Sequence, residues 1–223
     1  MMRLRCSVMI ISKIIKRFRR RLNKTVRFLH FMKIKKTFTN VNFSVFSSNC
    51  VGCLMLHDLN VPFNSPFVNL FLDAKDYIKY LENPQKYNQM EFKEIASECD
   101  YPVGMLGDLT FHFVHYHSFE EAVNAFKRRI TRISYENLFV IFSERDGCTY
   151  EDLKIFDNLP YNNKVVFTHK PYADIKSAYY IEGFEGSGEL GNIMAWDKKI
   201  GNKIYDRFDF VDWFKSKLNI NNI

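Results

Sequence analysis

Between Leu109 and Phe142 the apolar residues change period twice, from a strand-like density to a helical repeat and then to an unbroken run, and few architectures accept that order. Leu109 to Tyr116 is rich in Phe, Val, Tyr and Thr, as strands are. Ser118, followed by Glu120 and Glu121, is placed as an N-cap with acids in the first helical turn. Phe119, Ala122, Val123, Phe126, Ile130 and Ile133 then repeat at helical spacing, with Lys127, Arg128, Arg129 and Arg132 on or beside the other face. Leu138 to Phe142 is apolar throughout, the composition of a strand covered on both faces of a parallel sheet. The stretch reads as a strand, helix, strand crossover with His112, His115 and His117 on its first strand. Ligands of open parallel sheets bind beyond the carboxyl ends of the strands, which here carry His115 to Ser118 and Ser143 to Cys148.

The flanking sequence continues the alternation. Asn42 to Ser48 predicts a strand, and Asn49 to Cys53 turns the chain into a helix ending near His57 or Asp58. Asn64-Ser65-Pro66 predicts a helix start, with Phe67, Leu70, Phe71, Ile78 and Leu81 following until Asn83-Pro84 stops it. Residues 85 to 100 read as a polar connection with a short helix. Thr149 with Asp152 predicts a capped helix through Leu153, Phe156 and Leu159; Lys164 to Thr168 and Ala178 to Ile181 predict strands, and Phe208 to Leu218 a closing helix. The expected fold is α/β, a three-layer sandwich with a mostly parallel central sheet.

Charge divides the chain. Residues 1 to 36 hold 13 of the 32 Lys and Arg, and no Asp or Glu precedes His57. The remaining 19 cations face all 25 acids, so residues 37–223 carry a formal −6 although the whole chain carries +7. Leu4, Val8, Ile11, Ile15, Phe18, Leu22, Val26 and Leu29 recur at spacings of three and four among those cations. The expected organisation is a basic amphipathic arm at 1–36 and a single α/β domain at 37–223. Such an arm suits an anionic membrane surface; other acidic partners or a solvated leader share its pattern, and no specific nucleic acid is expected. Nothing reaches the roughly 20 apolar residues of a membrane span. Five irregularly spaced cysteines point to free thiols in a reducing, cytoplasmic compartment, with the arm holding the chain to the inner face of the membrane.

Cys50 is the sharpest chemical candidate. It follows a strand at an expected helix start, where the helix dipole and free backbone N–H groups lower a thiol's pKa and can form an oxyanion hole. His115 is its first candidate base, with His112 and His117 behind it, and Asp146 the group orienting that base; the competing reading is a small buried thiol. Asn49, Tyr116, Arg129, Glu144 and Arg145 are the candidate substrate contacts, with Arg suited to phosphate or carboxylate. Alternatively, Asp146 caps the next helix and pairs with Arg145. Cys50 and Cys53 have metal or redox spacing, but Cys99 and Cys148 supply no second close pair, so the spacing reads as accidental and no metal is expected. No glycine fingerprint for nucleotide phosphates follows a strand, so no cofactor is expected.

Asn49 to Gly52 (NCVG), Asn64 to Phe67 (NSPF), Tyr101 to Asp108 (YPVGMLGD), His112 to Tyr116 (HFVHY), Asn137 to Cys148 (NLFVIFSERDGC) and Asp209 to Phe214 (DFVDWF) carry a resemblance over about residues 40 to 217. By these motifs the chain resembles a bacterial family of unknown function whose members are often labelled exopolysaccharide biosynthesis proteins. That family usually shows two glycines after the Asn-Cys pair, where this chain has Gly52 and Cys53. The resemblance implies a transferase of surface-polysaccharide assembly at the inner face of the membrane, using a sugar nucleotide or lipid-linked glycan. The alternatives are a Cys-dependent acyltransferase or hydrolase, and a non-catalytic membrane-associated scaffold.

Overall fold

The computed structural model describes residues 2–220, with side chains from residue 13 onward. Helix α1 (Met2–Ile34) ends in a short 3-10 turn (Lys35–Phe38), and β1 (Ser44–Ser47) runs into α2 (Val51–Leu59). Helices α3 (Ala74–Glu82) and α4 (Pro84–Asn88) precede β2 (Phe92–Ile95), β3 (Val103–Leu106) and β4 (Leu109–His112). Then come α5 (Phe119–Ile130), β5 (Leu138–Ser143), α6 (Tyr150–Asn158), β6 (Lys164–Thr168), β7 (Ala178–Tyr180) and α7 (Phe210–Lys217).

The central sheet has the order β1-β5-β6-β7, every pair parallel. Its side chains alternate between two cores. Val45, Phe139, Ile141, Val165 and Phe167 face α2, α7 and the end of α1, whereas Phe46, Val140, Phe142 and Val166 face residues of α3, α5 and α6. Because both faces are covered, all six residues of β5 are buried, which is why LFVIF is apolar without alternation. The arrangement is an α/β sandwich with the parallel sheet as its middle layer.

The central crossover is corrected. β4 pairs antiparallel with β3, and β3 with β2, in a separate three-stranded sheet. The physical reason lies in β4 itself: Leu109 and Phe111 are buried while Thr110 and His112 are partly exposed, the pattern of a strand covered on one side. A two-residue turn at Gly107-Asp108 joins it to β3, with Gly107 at φ 65°, the position at which a II′ hairpin turn wants glycine. Helix α5 therefore leads from this small sheet into β5. His115 and His117 lie beyond the strand, in turns closed by Val114 N–H to the His112 carbonyl (3.0 Å) and Tyr116 N–H to the Phe113 carbonyl (3.1 Å).

The helix expected from Ser65 is also shorter and later. Residues 64–73 are irregular, with Asn69 in the left-handed region at φ 63°, and the helix starts only at Ala74. Phe71 bridges to His112 instead, by N–H to carbonyl bonds of 3.0 Å in each direction. The two caps behave as the sequence predicts: the Ser118 side chain accepts from Glu121 N–H, and Thr149 with Asp152 forms a reciprocal capping box.

Within α1, Leu4, Val8 and Ile11 of the expected stripe lie outside the described side chains. The second half of the helix is packed on the domain. Asn23, Arg27 and Phe31, spaced by four, are 2%, 7% and 5% exposed, although two of them are polar. Arg27 donates through Nε to Asp58 (3.0 Å), through Nη1 to Asp206 (2.5 Å) and through Nη2 to Tyr205 Oη (2.8 Å), and its Cζ lies 4.8 Å from the Phe31 ring centre. Burial opposes the charge of this guanidinium, but its hydrogen bonds to Asp206 and Asp58 outweigh that and raise its pKa.

Candidate functional site

The carboxyl end of β1 delivers the thiol. The backbone crosses from β1 to α2 with Cys50 at the N-cap, and the first turn is held by side chains: Val51 N–H donates to Asn49 Oδ1 at 3.1 Å, and Gly52 N–H to Ser47 Oγ at 3.2 Å. Those two N–H groups are therefore occupied, a correction to the expected oxyanion hole of free backbone donors at this helix start. Gly52 is what allows the seat to be so close: a β-carbon there would stand 2.7 Å from Ser47 Cβ.

Cys50 is half-buried and Cys53 buried. The Cys53 thiol donates to the Cys50 backbone carbonyl at 3.0 Å, which keeps it beside the Cys50 sulfur. This neighbouring thiol is the main influence holding the Cys50 pKa below its ordinary value; burial works the other way, and the Asn69 and Leu70 backbone adds to the lowering. Cys53 moves oppositely, raised by the neighbouring Cys50 sulfur and by burial. The Leu70 carbonyl lies 4.0 Å from Cys50 Sγ, too far to hold the thiol proton strongly. The spacing that reads as accidental in the sequence thus places two thiols side by side on the first turn of α2, with Cys50 the more readily ionised. Among the described residues no cluster of three His, Cys, Asp or Glu gathers as a metal site would need.

Around Cys50 lies a cavity of about 470 Å³. Asn49, Cys50, Cys53 and Leu54 form one wall; Asn69 and Phe71 come from the irregular segment before α3; Val114 and His115 follow β4; Arg145 and Asp146 follow β5; Met194 comes from the long loop before α7. Three hydrogen bonds lock these pieces together: Leu72 N–H to the Ser48 carbonyl (3.1 Å), His115 N–H to the Asn69 carbonyl (3.3 Å) and Ala74 N–H to the Asp146 carbonyl (3.1 Å). Asp146 occupies the left-handed region at φ 57° and accepts from Arg145 Nε at 3.0 Å. Burial raises its pKa, with Arg145 opposing.

Five of the eight candidate residues, Asn49, Cys50, His115, Arg145 and Asp146, thus share one cavity. No hydrogen bond joins His115 to Cys50 or Asp146 among the described residues, so a proton between them would travel through substrate or water. Tyr116, Arg129 and Glu144 are not on its lining. Tyr116 Oη donates to the Val68 carbonyl at 3.0 Å and accepts from Arg129 Nη1 at 2.5 Å, fixing the irregular segment from behind. Glu144 is turned away to His169 and Tyr172: it accepts from His169 N–H at 2.9 Å, its Oε2 lies 2.7 Å from His169 Nδ1, and the Tyr172 hydroxyl donates to Oε1. Asn69, Phe71, Val114 and Met194 carry no sequence signal as site residues: Phe71 and Val114 read as apolar members of a helix and a strand, and Asn69 and Met194 match no motif.

The thiol pair yields a first prediction. Alkylation of Cys50 by iodoacetamide is expected to rise with pH to a plateau below the ordinary thiol range of about 8.5. Cys53→Ala should move the profile upward by removing the neighbouring thiol that favours the Cys50 thiolate, so that alkylation at neutral pH slows; peptide mass spectrometry across a pH series checks both.

The sequence model of a family described as "Domain of unknown function (DUF1919)" matches residues 21–215. The match begins inside α1, upstream of residue 40, and takes in Asn23 and Arg27, which dock that helix. A Haemophilus influenzae protein described as "Uncharacterized protein" is 47% identical over 193 residues, covering 86% of this chain and 94% of its own.

Proposed function

Because the chain belongs to the DUF1919 family, whose description names no reaction, we propose a function from the cavity itself: a thiol-dependent acyltransferase with Cys50 as nucleophile. The observation that carries this reading is a thiol of lowered pKa at a helix N-terminus, inside a cavity that also presents His115, Arg145 and Asp146. In the first half-reaction the Cys50 thiolate attacks the carbonyl carbon of an acyl thioester; a carbon–sulfur bond forms to Cys50, the bond to the donor sulfur breaks, and the donor leaves as its thiolate. In the second, an acceptor hydroxyl attacks the Cys50 thioester and gives its proton to His115. The ester forms, the thiolate returns, and His115 passes the proton to the departed donor thiolate through solvent. Arg145 and the Asn49 amide are the side chains available to polar parts of donor and acceptor, since the Val51 and Gly52 N–H groups are taken. Asp146, paired with Arg145, holds that guanidinium at the rim.

The acceptor is proposed as a hydroxyl of a surface-glycan precursor. This part rests on the resemblance of the motifs, and the hydroxyl-rich character of a glycan suits an acyl acceptor. Incubating the full chain with acetyl-coenzyme A and measuring intact mass is the test. The expected result is an acetyl adduct that maps to Cys50 and disappears in Cys50→Ser, whose melting temperature stays that of the parent chain. No adduct with acetyl- or longer acyl-coenzyme A, together with alkylation of Cys50 no faster than of exposed Cys99, would sink the proposal.

A further inference from the structure

Helix α1 docks on the domain with the face that amphipathic helices usually leave to water. At 3.6 residues per turn, Asn23, Arg27 and Phe31 lie on one side, and the stripe of Ile14, Phe18, Leu22, Leu29 and Met32 lies about half a turn away. The stripe is open to solvent: Ile14, Phe18 and Leu29 are 61%, 67% and 57% exposed. The docking contacts fix this orientation. Asn23 Oδ1 accepts from Gly201 N–H at 3.0 Å, Arg19 donates to the Lys198 carbonyl at 3.2 Å, and Arg27 is enclosed by Asp58 and Asp206. An apolar helix face that the fold holds outward rather than inward is a surface for something else.

Charge decides what covers it. Arg17, Arg21 and Lys24 run along one side of the stripe and Lys33 along the other, all exposed, and α1 contains no acid. Two copies of the helix face to face would bring these cations together without counter-charges, which disfavours a second chain. An anionic bilayer offers what the face needs: phosphates for the flanking Lys and Arg, each contributing about 1 kcal/mol, and an apolar layer for the stripe. No helix of the described residues is long and apolar enough to cross a membrane, so the geometry is that of a helix lying in the headgroup plane. At 33 residues it would be about 50 Å long.

We propose that α1 is a rigid foot that seats the domain on an anionic lipid surface, its stripe in the acyl boundary and its clamped face holding the domain above. This inference is independent of the acyl-transfer reading. The loop that receives the clamp also contributes Met194 to the cavity, so the foot and the candidate site share one connecting segment.

Flotation of the full chain with phosphatidylcholine vesicles, with and without phosphatidylglycerol, tests it. The parent chain should float only with phosphatidylglycerol and be released by high salt, as the Lys and Arg contacts are screened. Phe18→Glu/Leu29→Glu, which changes two exposed residues and should keep the parent melting temperature, should bind at least about tenfold more weakly. A parent chain that stays at the bottom with phosphatidylglycerol, or a double variant that floats equally well, overturns the proposal. So does a vesicle-free dimer in sedimentation that the double variant dissolves, which would assign the stripe to a second copy.

Discussion

Arg27→Met is expected to destabilise the protein by about 3–5 kcal/mol, the range for removing one partner from a buried charge cluster. Met keeps most of the volume of the side-chain stem over Phe31, so packing loss is a minor part. The larger part is what remains behind: Asp58 and Asp206, each with a side chain only 12% exposed, would sit in a shared pocket with no cation between them. Tyr205 Oη can still donate to Asp58 at 2.8 Å, but nothing described replaces Nη1 at Asp206 except Lys203 N–H at 2.6 Å. Urea unfolding measures the effect. The triple change Arg27→Met/Asp58→Asn/Asp206→Asn should recover most of the loss, because a cluster replaced whole carries no orphaned charge. A shift below about 1 kcal/mol for the single variant would mean the cluster is screened by water as surface pairs are. The two charges that hold α1 thus lie 31 and 179 residues away in sequence, a separation with consequences for what could be read beforehand.

The amphipathic repeat of α1 was legible, but its orientation was not. Periodicity separates an apolar face from a basic one, and the usual inference puts the apolar face inward; here Arg27 finds two buried carboxylates that no local pattern announces. The parallel strands were the most legible part, since β5 and β6 are apolar because both faces are covered, and the caps at Ser118 and Thr149 act within three residues. β4 was misassigned to the central sheet although Leu106-Gly107-Asp108-Leu109 carries a two-residue hairpin signal. Its aromatic density resembles a buried strand, while the alternation that marks a one-sided strand lasts only four residues. The segment after Pro66 misleads for a similar reason: Phe67, Leu70 and Phe71 fit a helical period, yet Asn69 takes a left-handed turn and Phe71 bonds to β4.

For the site, position in the chain located residues better than it aimed them. Cys50, Arg145 and Asp146 follow strands of the parallel sheet, and His115 reaches the same cavity from the antiparallel one through the Phe71–His112 bridge. Glu144 sits at the same strand end as Arg145, but alternation along the chain turns it into the interior, where His169 and Tyr172 engage both carboxylate oxygens. The role of Cys53 depends on three-dimensional contact with a sulfur one helical turn away, which spacing permits without deciding.

Gly52→Ala is expected to cost about 1–2 kcal/mol of stability and to slow acyl-adduct formation at Cys50 by about 100-fold. Two effects oppose each other. Gly52 lies in the first turn of α2 and has no positive φ, so Ala would gain up to about 1 kcal/mol of helix propensity. Against this, its β-carbon would stand 2.7 Å from Ser47 Cβ and 3.0 Å from Val45 Cγ1. Those atoms belong to β1, which is hydrogen-bonded along its length to β5, and neither is the far end of a flexible side chain. Overpacking of this kind costs about 1–3 kcal/mol, so it outweighs the propensity gain, and the way out is for the start of α2 to lift from the strand. Lifting it lengthens the Gly52 N–H bond to Ser47 Oγ and carries Cys50 away from the Asn69 and Leu70 backbone, so nucleophile and cavity lose register together. Gly186→Ala, where a β-carbon meets nothing within 4 Å, is the matched control and should change neither quantity. Denaturant midpoints and the rate of acetyl transfer to Cys50 separate the outcomes: lost stability with an unchanged rate would detach the chemistry from the seat of α2, and with it the argument that this close strand-to-helix contact is what poises the thiol.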